Sequence, residues 1–374
     1  MIEQIEQIEQ IQPVESTVPA QPVEHESSTS NYYPWFDWLR LGLALLVLLS
    51  HMGLVRAFPQ AGNFAVQVFF AVSGWLVGGM LITMPKVELR RFYYNRALRI
   101  WCPYFIALGL LLTASLLRDH ITFKWTEIVF YKFTFVYNLF GERQLAQHRL
   151  EMPLAATGNH FWSVNAEEQF YLIAPLLLVL APRRWGRSVL TWIVLAIVAW
   201  LSNTYASIVF GVLAAVLAHS YGSFHENYRC RAAAAGVILL SVLGFLAGGN
   251  YDLLAPVCAT ALMLLLAING RQHPFGALAG GMSDPLYLNA WVPAFIVNAI
   301  FKRAGFTSVF AGDALILVSN LAFAALLYWY VDRTVLAHRR RFYNPRRAWF
   351  TMTFGYGAVA LGLMTGLILF RRAG

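Results

Sequence analysis

Eleven apolar stretches, most of them near membrane-crossing length, recur along this chain and exclude an ordinary soluble fold. They fall at about 36–56, 62–84, 99–117, 163–182, 188–202, 204–220, 232–249, 251–268, 279–301, 308–331 and 350–370. Crossing a bilayer as a helix takes about 20 apolar residues, so the fifth and sixth windows are the short ones. The chain is 58% hydrophobic and 13% charged, about half the charge of a typical soluble domain. The expected fold is an all-α polytopic membrane protein of about 10–11 transmembrane helices. Its expected parts are a disordered acidic cytoplasmic tail (1–35), a membrane core (36–332), and a basic cytoplasmic loop with a final transmembrane helix (333–374).

Charge is distributed unevenly. The net charge is +9, yet the first 36 residues hold six glutamates and no Lys or Arg, so the remainder carries +15. In a multispanning protein such basicity anchors cytoplasmic loops, and nucleic acid is not an expected partner. Counting Arg40, eighteen of the 28 Lys and Arg residues fall on one side when the N-terminus is placed inside. The positive-inside rule therefore favours N-in and C-out, in the plasma (inner) membrane, with the lipid bilayer as first partner. The opening MIEQIEQIEQIQ is acidic, which fits neither a signal nor a transit peptide. Three isolated cysteines argue against a disulfide scaffold, and His120, His148 and His160 lack metal-ligand spacing, so no metal is expected.

Against that background the ionisable residues inside apolar stretches carry the information. FDWLRLGLALLVLLSHMG holds Asp37, Arg40 and His51. Eleven residues are about three helical turns, which puts Arg40 and His51 on one face about 16 Å apart. Such groups in a membrane cost several kcal/mol unless they face protein or a wet cavity. An interfacial Arg and a His satisfied by another helix would look the same.

Three further segments bear chemistry. QVFFAVSGWLVGGM places Ser73, Gly74, Gly78 and Gly79 among bulky residues, which suits close helix packing. KVELRRFYYNRALRIWCPY groups Arg90, Arg91, Arg96 and Arg99, able to hold phosphates bidentately or simply to anchor a loop. NHFWSVNAEEQFYLIAPLLL sets Glu167 and Glu168 at the head of an apolar run, among Trp162, Ser163 and Tyr171. A carboxylate desolvated there serves as acid or base, or orients a histidine. Residues 125–140, with Glu127 and Lys132, read as a re-entrant or interfacial piece of the outer loop.

Together these segments resemble the membrane-bound acyltransferase family 3, whose members O-acylate cell-surface glycans and some secreted small molecules. FDWLRLGLALLVLLSH is similar to the family's Asp–Arg–spacer–His first helix. VFFAVSGWL resembles its FFxxSGfL element, NRALRIWCPY its RxxR(I/L)xPY loop, and FWSVNAEEQFYLIAPLLL its WSxxxExxFY signature. The resemblance covers about 36–332 and implies a ten-helix core. Toward the C-terminus, GMSDPLYLNAWVP keeps Tyr287, Leu288 and Pro293 but has Asn289 and Ala290 where relatives read Trp and His. Asp332 stands near the family's closing Glu.

The resemblance implies an O-acyltransferase that moves an acyl group, acetyl being the usual one, from cytoplasmic acyl-CoA (acetyl-CoA) to a carbohydrate or glycan hydroxyl. His51, Glu167 and Arg40 are its expected catalytic residues. His51 would be base or acyl carrier, with its tautomer held by Glu167. Arg96, Arg99 and Arg91 would bind the donor. Trp162, Ser163, Tyr171 and Ser73 would line the acceptor side. No hydrolase-like domain follows the core in this sequence, so the chain is expected either to act alone or to pass its acyl group to a separate extracytoplasmic transferase. A secondary transporter and an inactive scaffold are the rival readings.

Overall fold

The computed structural model describes residues 32–306 and 308–373, with side chains described up to Leu369. The expectation of disorder over residues 1–35 lies outside the described residues for 1–31, whereas Pro34 and Trp35 begin the first helix. No strand occurs among the described residues. The principal helices are α1 (Pro34–His51), α2 (Ala61–Thr83), α3 (Leu89–Leu116), α4 (Phe123–Phe133), α5 (Phe161–Pro175), α6 (Val189–Leu201), α7 (Ala206–Tyr221), α8 (Tyr228–Leu246), α9 (Tyr251–Leu266), α10 (Pro274–Asn289), α11 (Trp291–Ala304), α12 (Val309–Leu327) and α13 (Pro345–Ala373).

Five helical stretches among the described residues are long and apolar enough to cross a membrane: Ala61–Thr83, Lys86–Leu116, Tyr228–Leu246, Val309–His338 and Pro345–Leu369. Helices α6, α7 and α9 are apolar but run only 13, 16 and 16 residues. At 1.5 Å per residue they reach about 20–24 Å, short of a hydrocarbon core of about 30 Å. The window at 279–301, read as one crossing, is two helices that meet at Ala290. The protein is a helical, multi-pass membrane protein.

Helix α2 sits at the centre. Ala65, Val68, Ala71 and Leu81 on it are fully buried, and its apolar surface forms one core with α1, α5, α7 and α9. The small residues of the SGWLVGG segment make this possible. A Cβ on Gly74 would collide with the Ile208 carbonyl oxygen, and one on Gly211 with that of Ala71. The backbones of α2 and α7 thus approach as closely as glycine allows.

Helix α1 begins at Pro34, a residue whose fixed φ suits the first helical position. Its first turns pack on the small residues of α10, with Asp37 against Gly276 and Gly280. That packing brings the α1 turn bearing Arg40 beside the middle of α10. The 125–140 segment forms α4 followed by a short turn of helix at Tyr137–Phe140. Its buried ionisable groups are both satisfied. Glu127 accepts from Lys124 Nζ (2.7 Å) and Gln144 Nε2 (3.0 Å). Lys132 Nζ donates to the Gly158 carbonyl (2.6 Å) and lies 3.6 Å from the centre of the Tyr137 ring.

Candidate active site

Helices α1, α2, α3, α5, α7 and α10 enclose a cavity of about 860 Å³ whose charged lining is Arg40, Arg96, Arg99, Glu167 and Asp284. Its walls include both Val66 and Thr83 of α2. Those two residues are about 25 Å apart along the helix, so the cavity lining extends along most of α2.

Arg40 does not stand alone in it. One guanidinium nitrogen donates to both carboxylate oxygens of Asp284, at 2.7 and 2.8 Å. The pair is half-buried, and Arg99 lies close enough to both to feel their charge. Asp284 was not among the residues singled out from the sequence. The one signal for it is the SDP of GMSDPLYLNAWVP, an acidic residue inside an otherwise apolar helix. Asp284→Ala would leave Arg40 facing the cavity without its counter-ion. A fully buried pair broken this way costs about 3–5 kcal/mol and an exposed one about 0–1 kcal/mol, so for this half-buried pair we expect about 1–3 kcal/mol. Thermal unfolding in detergent measures it, and an unchanged midpoint would refute it.

Across the cavity Ser73 and Glu167 meet. The Ser73 hydroxyl and the Tyr171 hydroxyl both donate to Glu167 Oε1, the latter at 2.5 Å. The Arg96 guanidinium lies 5.0 Å above the centre of the Tyr171 ring, a cation–π distance. Ser163, Glu167 and Tyr171 all line the cavity because they lie four residues apart, within about 40° of one another per step around α5. Trp162, one residue off that stripe, does not line the cavity and packs edge-on against Phe70 instead (5.8 Å). Glu168, likewise one step off, is buried on another side of the helix.

The arginine group of α3 divides by the same rule. Arg96 and Arg99 line the cavity, while Arg91 is exposed and does not. Five residues separate Arg91 from Arg96, about 140° around the helix. The ion pairs among the described residues are Arg40–Asp284, Lys124–Glu127, His148–Glu151 and His225–Glu226, so neither Arg96 nor Arg99 is directly ion-paired, although Arg99 lies within electrostatic reach of Asp284 and Arg96 of Glu168.

His51 closes α1 at its other end and is exposed. Its Nδ1 lies 2.8 Å from the Val47 carbonyl. A carbonyl only accepts, so Nδ1 carries the proton and Nε2 of the neutral ring keeps its lone pair. The expected tautomer holder, Glu167, is therefore replaced by a backbone carbonyl one turn earlier, and Glu167 is bonded to Ser73 and Tyr171 instead. His51 does not line the main cavity. It lies within electrostatic reach of His160, whose Nε2 is 3.2 Å from the Leu288 carbonyl. Between His160 and the cavity stands Tyr287, another residue the site assignment missed. Its hydroxyl is 2.6 Å from Ser163 Oγ and 3.1 Å from the His160 carbonyl. The unexpected Asn289 is buried and bonds back to the Pro285 carbonyl (3.2 Å), and Ala290 marks the break between α10 and α11.

A helical membrane fold around a deep, arginine-bearing cavity defines the class, and comparison with known proteins narrows it. The acyltransferase family 3 model, described as an acyltransferase domain, matches residues 33–329. The chain belongs to that family. It is 27% identical over 159 residues to the O-acetyltransferase OatA of Staphylococcus aureus (strain NCTC 8325), a match covering 41% of this chain and 26% of that protein. An uncharacterized Haemophilus influenzae protein (strain Rd) is 32% identical over 129 residues, covering 32% of this chain and 51% of its own length. The chain thus spans about a quarter of the staphylococcal relative and half of the other. No solved structure matches it.

Proposed function

We propose that this chain is an integral-membrane O-acyltransferase. It moves an acyl group, in the first instance acetyl, from acyl-CoA on the cytoplasmic side to a hydroxyl of a carbohydrate or glycan acceptor. The observation that carries this reading is the pair of cavity arginines, Arg96 and Arg99, neither in a direct ion pair among the described residues. Guanidinium groups so placed suit the phosphates of a nucleotide-bearing acyl donor. The printed name of the staphylococcal relative supports O-acetyl transfer as the chemistry.

On the N-in orientation the arginines lie toward the cytoplasm and His51 toward the outer face. Arg40 and His51 are about 16 Å apart along α1, a span that suits the extended pantetheine arm between phosphate and thioester. His51 Nε2 takes the proton from the acceptor hydroxyl while its oxygen attacks the thioester carbon. The carbon–sulfur bond breaks, and the leaving thiolate takes up the proton held by His51, which restores the neutral ring. Asp284 holds Arg40 in place, and Glu167 holds the Ser73 and Tyr171 hydroxyls along the path of the arm. The finished ester leaves on the outer side, directly or by way of a separate extracytoplasmic transferase.

Mass spectrometry of surface polysaccharides from cells with and without this protein tests the reading. An acyl mass lost in its absence and regained on complementation is the expected result. Identical acylation in both, or acyl-CoA-independent transport of an unmodified substrate into vesicles, would overturn it.

A further inference from the structure

A strongly basic surface lies outside the active-site cavity, in a segment beyond the family match. Between α12 and α13 the chain carries Arg333, Arg339, Arg340, Arg341, Arg346 and Arg347, every one exposed. No Asp or Glu occurs from Arg333 to the end of the sequence, and none of the ion pairs among the described residues involves these arginines. The turn is ordered by its own contacts. Arg347 Nη1 donates to the Phe342 carbonyl (3.1 Å), and the Arg346 amide donates to Asn344 Oδ1 (2.8 Å) at the start of α13.

Tertiary packing adds to the patch. The Tyr343 ring meets Tyr94 of α3, centroids 5.4 Å apart, and Arg347 lies within electrostatic reach of Tyr94. That contact sets the turn beside the first turns of α3, where Arg90 and Arg91 are also exposed. Exposed Trp329, Tyr330, Phe342, Trp349 and Phe350 flank the arginines. Aromatic side chains beside clustered arginines mark the depth of the lipid headgroups, where anionic phosphates attract basic residues and guanidinium groups bind them bidentately.

We propose that this patch is a binding site for the headgroup of an anionic phospholipid, and that the lipid ties the foot of α13 to α3. The chemistry fits a phosphodiester held at the membrane surface with its acyl chains alongside α12 and α13. Farther along, α13 is already fastened to the core. The Tyr356 hydroxyl donates to the Leu172 carbonyl (2.7 Å) and lies 2.8 Å from the Tyr93 hydroxyl. The foot, with its arginines unpaired, is the part that needs a counter-anion.

The test reconstitutes the full chain in nanodiscs of phosphatidylcholine, with or without phosphatidylglycerol. The unmodified chain should unfold several degrees higher with phosphatidylglycerol and retain bound anionic lipid in native mass spectrometry. A triple Arg339→Gln, Arg340→Gln, Arg341→Gln variant should lose both effects while unfolding as before in phosphatidylcholine. The corresponding Lys triple should keep part of them, which separates charge loss from misfolding. An undiminished phosphatidylglycerol response in the Gln triple would overturn the proposal. So would a response reproduced by inorganic phosphate alone, or a triple that weakens coenzyme A binding while its lipid response persists.

Discussion

Replacing His51 with alanine should abolish most acyl transfer while leaving the fold and donor binding intact. The residue ends α1, is exposed, and makes its bond through Nδ1 to the Val47 carbonyl, so its loss leaves no buried partner unsatisfied. Removal of a general base typically costs about 10²–10⁴-fold in rate. The expected result is a drop of that size in acyl transfer to the acceptor at saturating acyl-CoA, with an unchanged unfolding midpoint and unchanged coenzyme A affinity. Transfer at the full rate in His51→Ala would remove the residue from the mechanism. A loss of donor affinity of the same size would instead make it a binding residue.

Replacing Arg96 and Arg99 together should act on the donor. Neither is in a direct ion pair among the described residues, and both line the cavity. A hydrogen bond to a charged group contributes about 1.5–3 kcal/mol, and 1.4 kcal/mol is a factor of ten. Each alanine should therefore raise the KM for acyl-CoA by about tenfold to a hundredfold. Lysine at either position should recover only part of this, because a point charge cannot reproduce the planar fork. Isothermal titration with coenzyme A separates the outcomes, and unaltered affinity in the double variant would exclude the phosphate role. Arg91→Ala serves as the control, since its side chain is outside the cavity and should leave KM unchanged.

Arg40 and His51 stand toward opposite ends of α1, and the polar partners of the cavity explain how an apolar fold holds its ionisable groups. Arg40 is neutralised by Asp284, so it costs little to hold an arginine at this depth. Glu167 accepts from two hydroxyls, which is how a carboxylate is kept in an apolar helix without a basic partner.

Much of this was legible in the residues. The apolar windows located the helices, because crossing a membrane demands long apolar runs whatever surrounds them. Helical periodicity also predicts that Ser163, Glu167 and Tyr171 share a face while Trp162 leaves it. It likewise sets Arg91 apart from Arg96, a division that motif matching alone overlooks. The split of window 279–301 at Ala290 was missed, although Asn289 and Pro293 bracket it in the sequence.

What the sequence by itself determined, then, is local: which segments are helical and apolar, which polar residues share a helix face, and the family to which those patterns belong. What only the tertiary structure decided is pairing. Ser73 and Glu167 are 94 residues apart, and Arg40 and Asp284 are 244 apart. Spacing along a chain says which residues share a face of one helix. It cannot say which helix that face will meet, because that depends on close approaches such as Gly74 on Gly211 and Asp37 on Gly280. The resulting fold pairs Glu167 with Ser73 and Tyr171, gives Arg40 its counter-ion, and places Arg96 and Arg99 on the cavity wall.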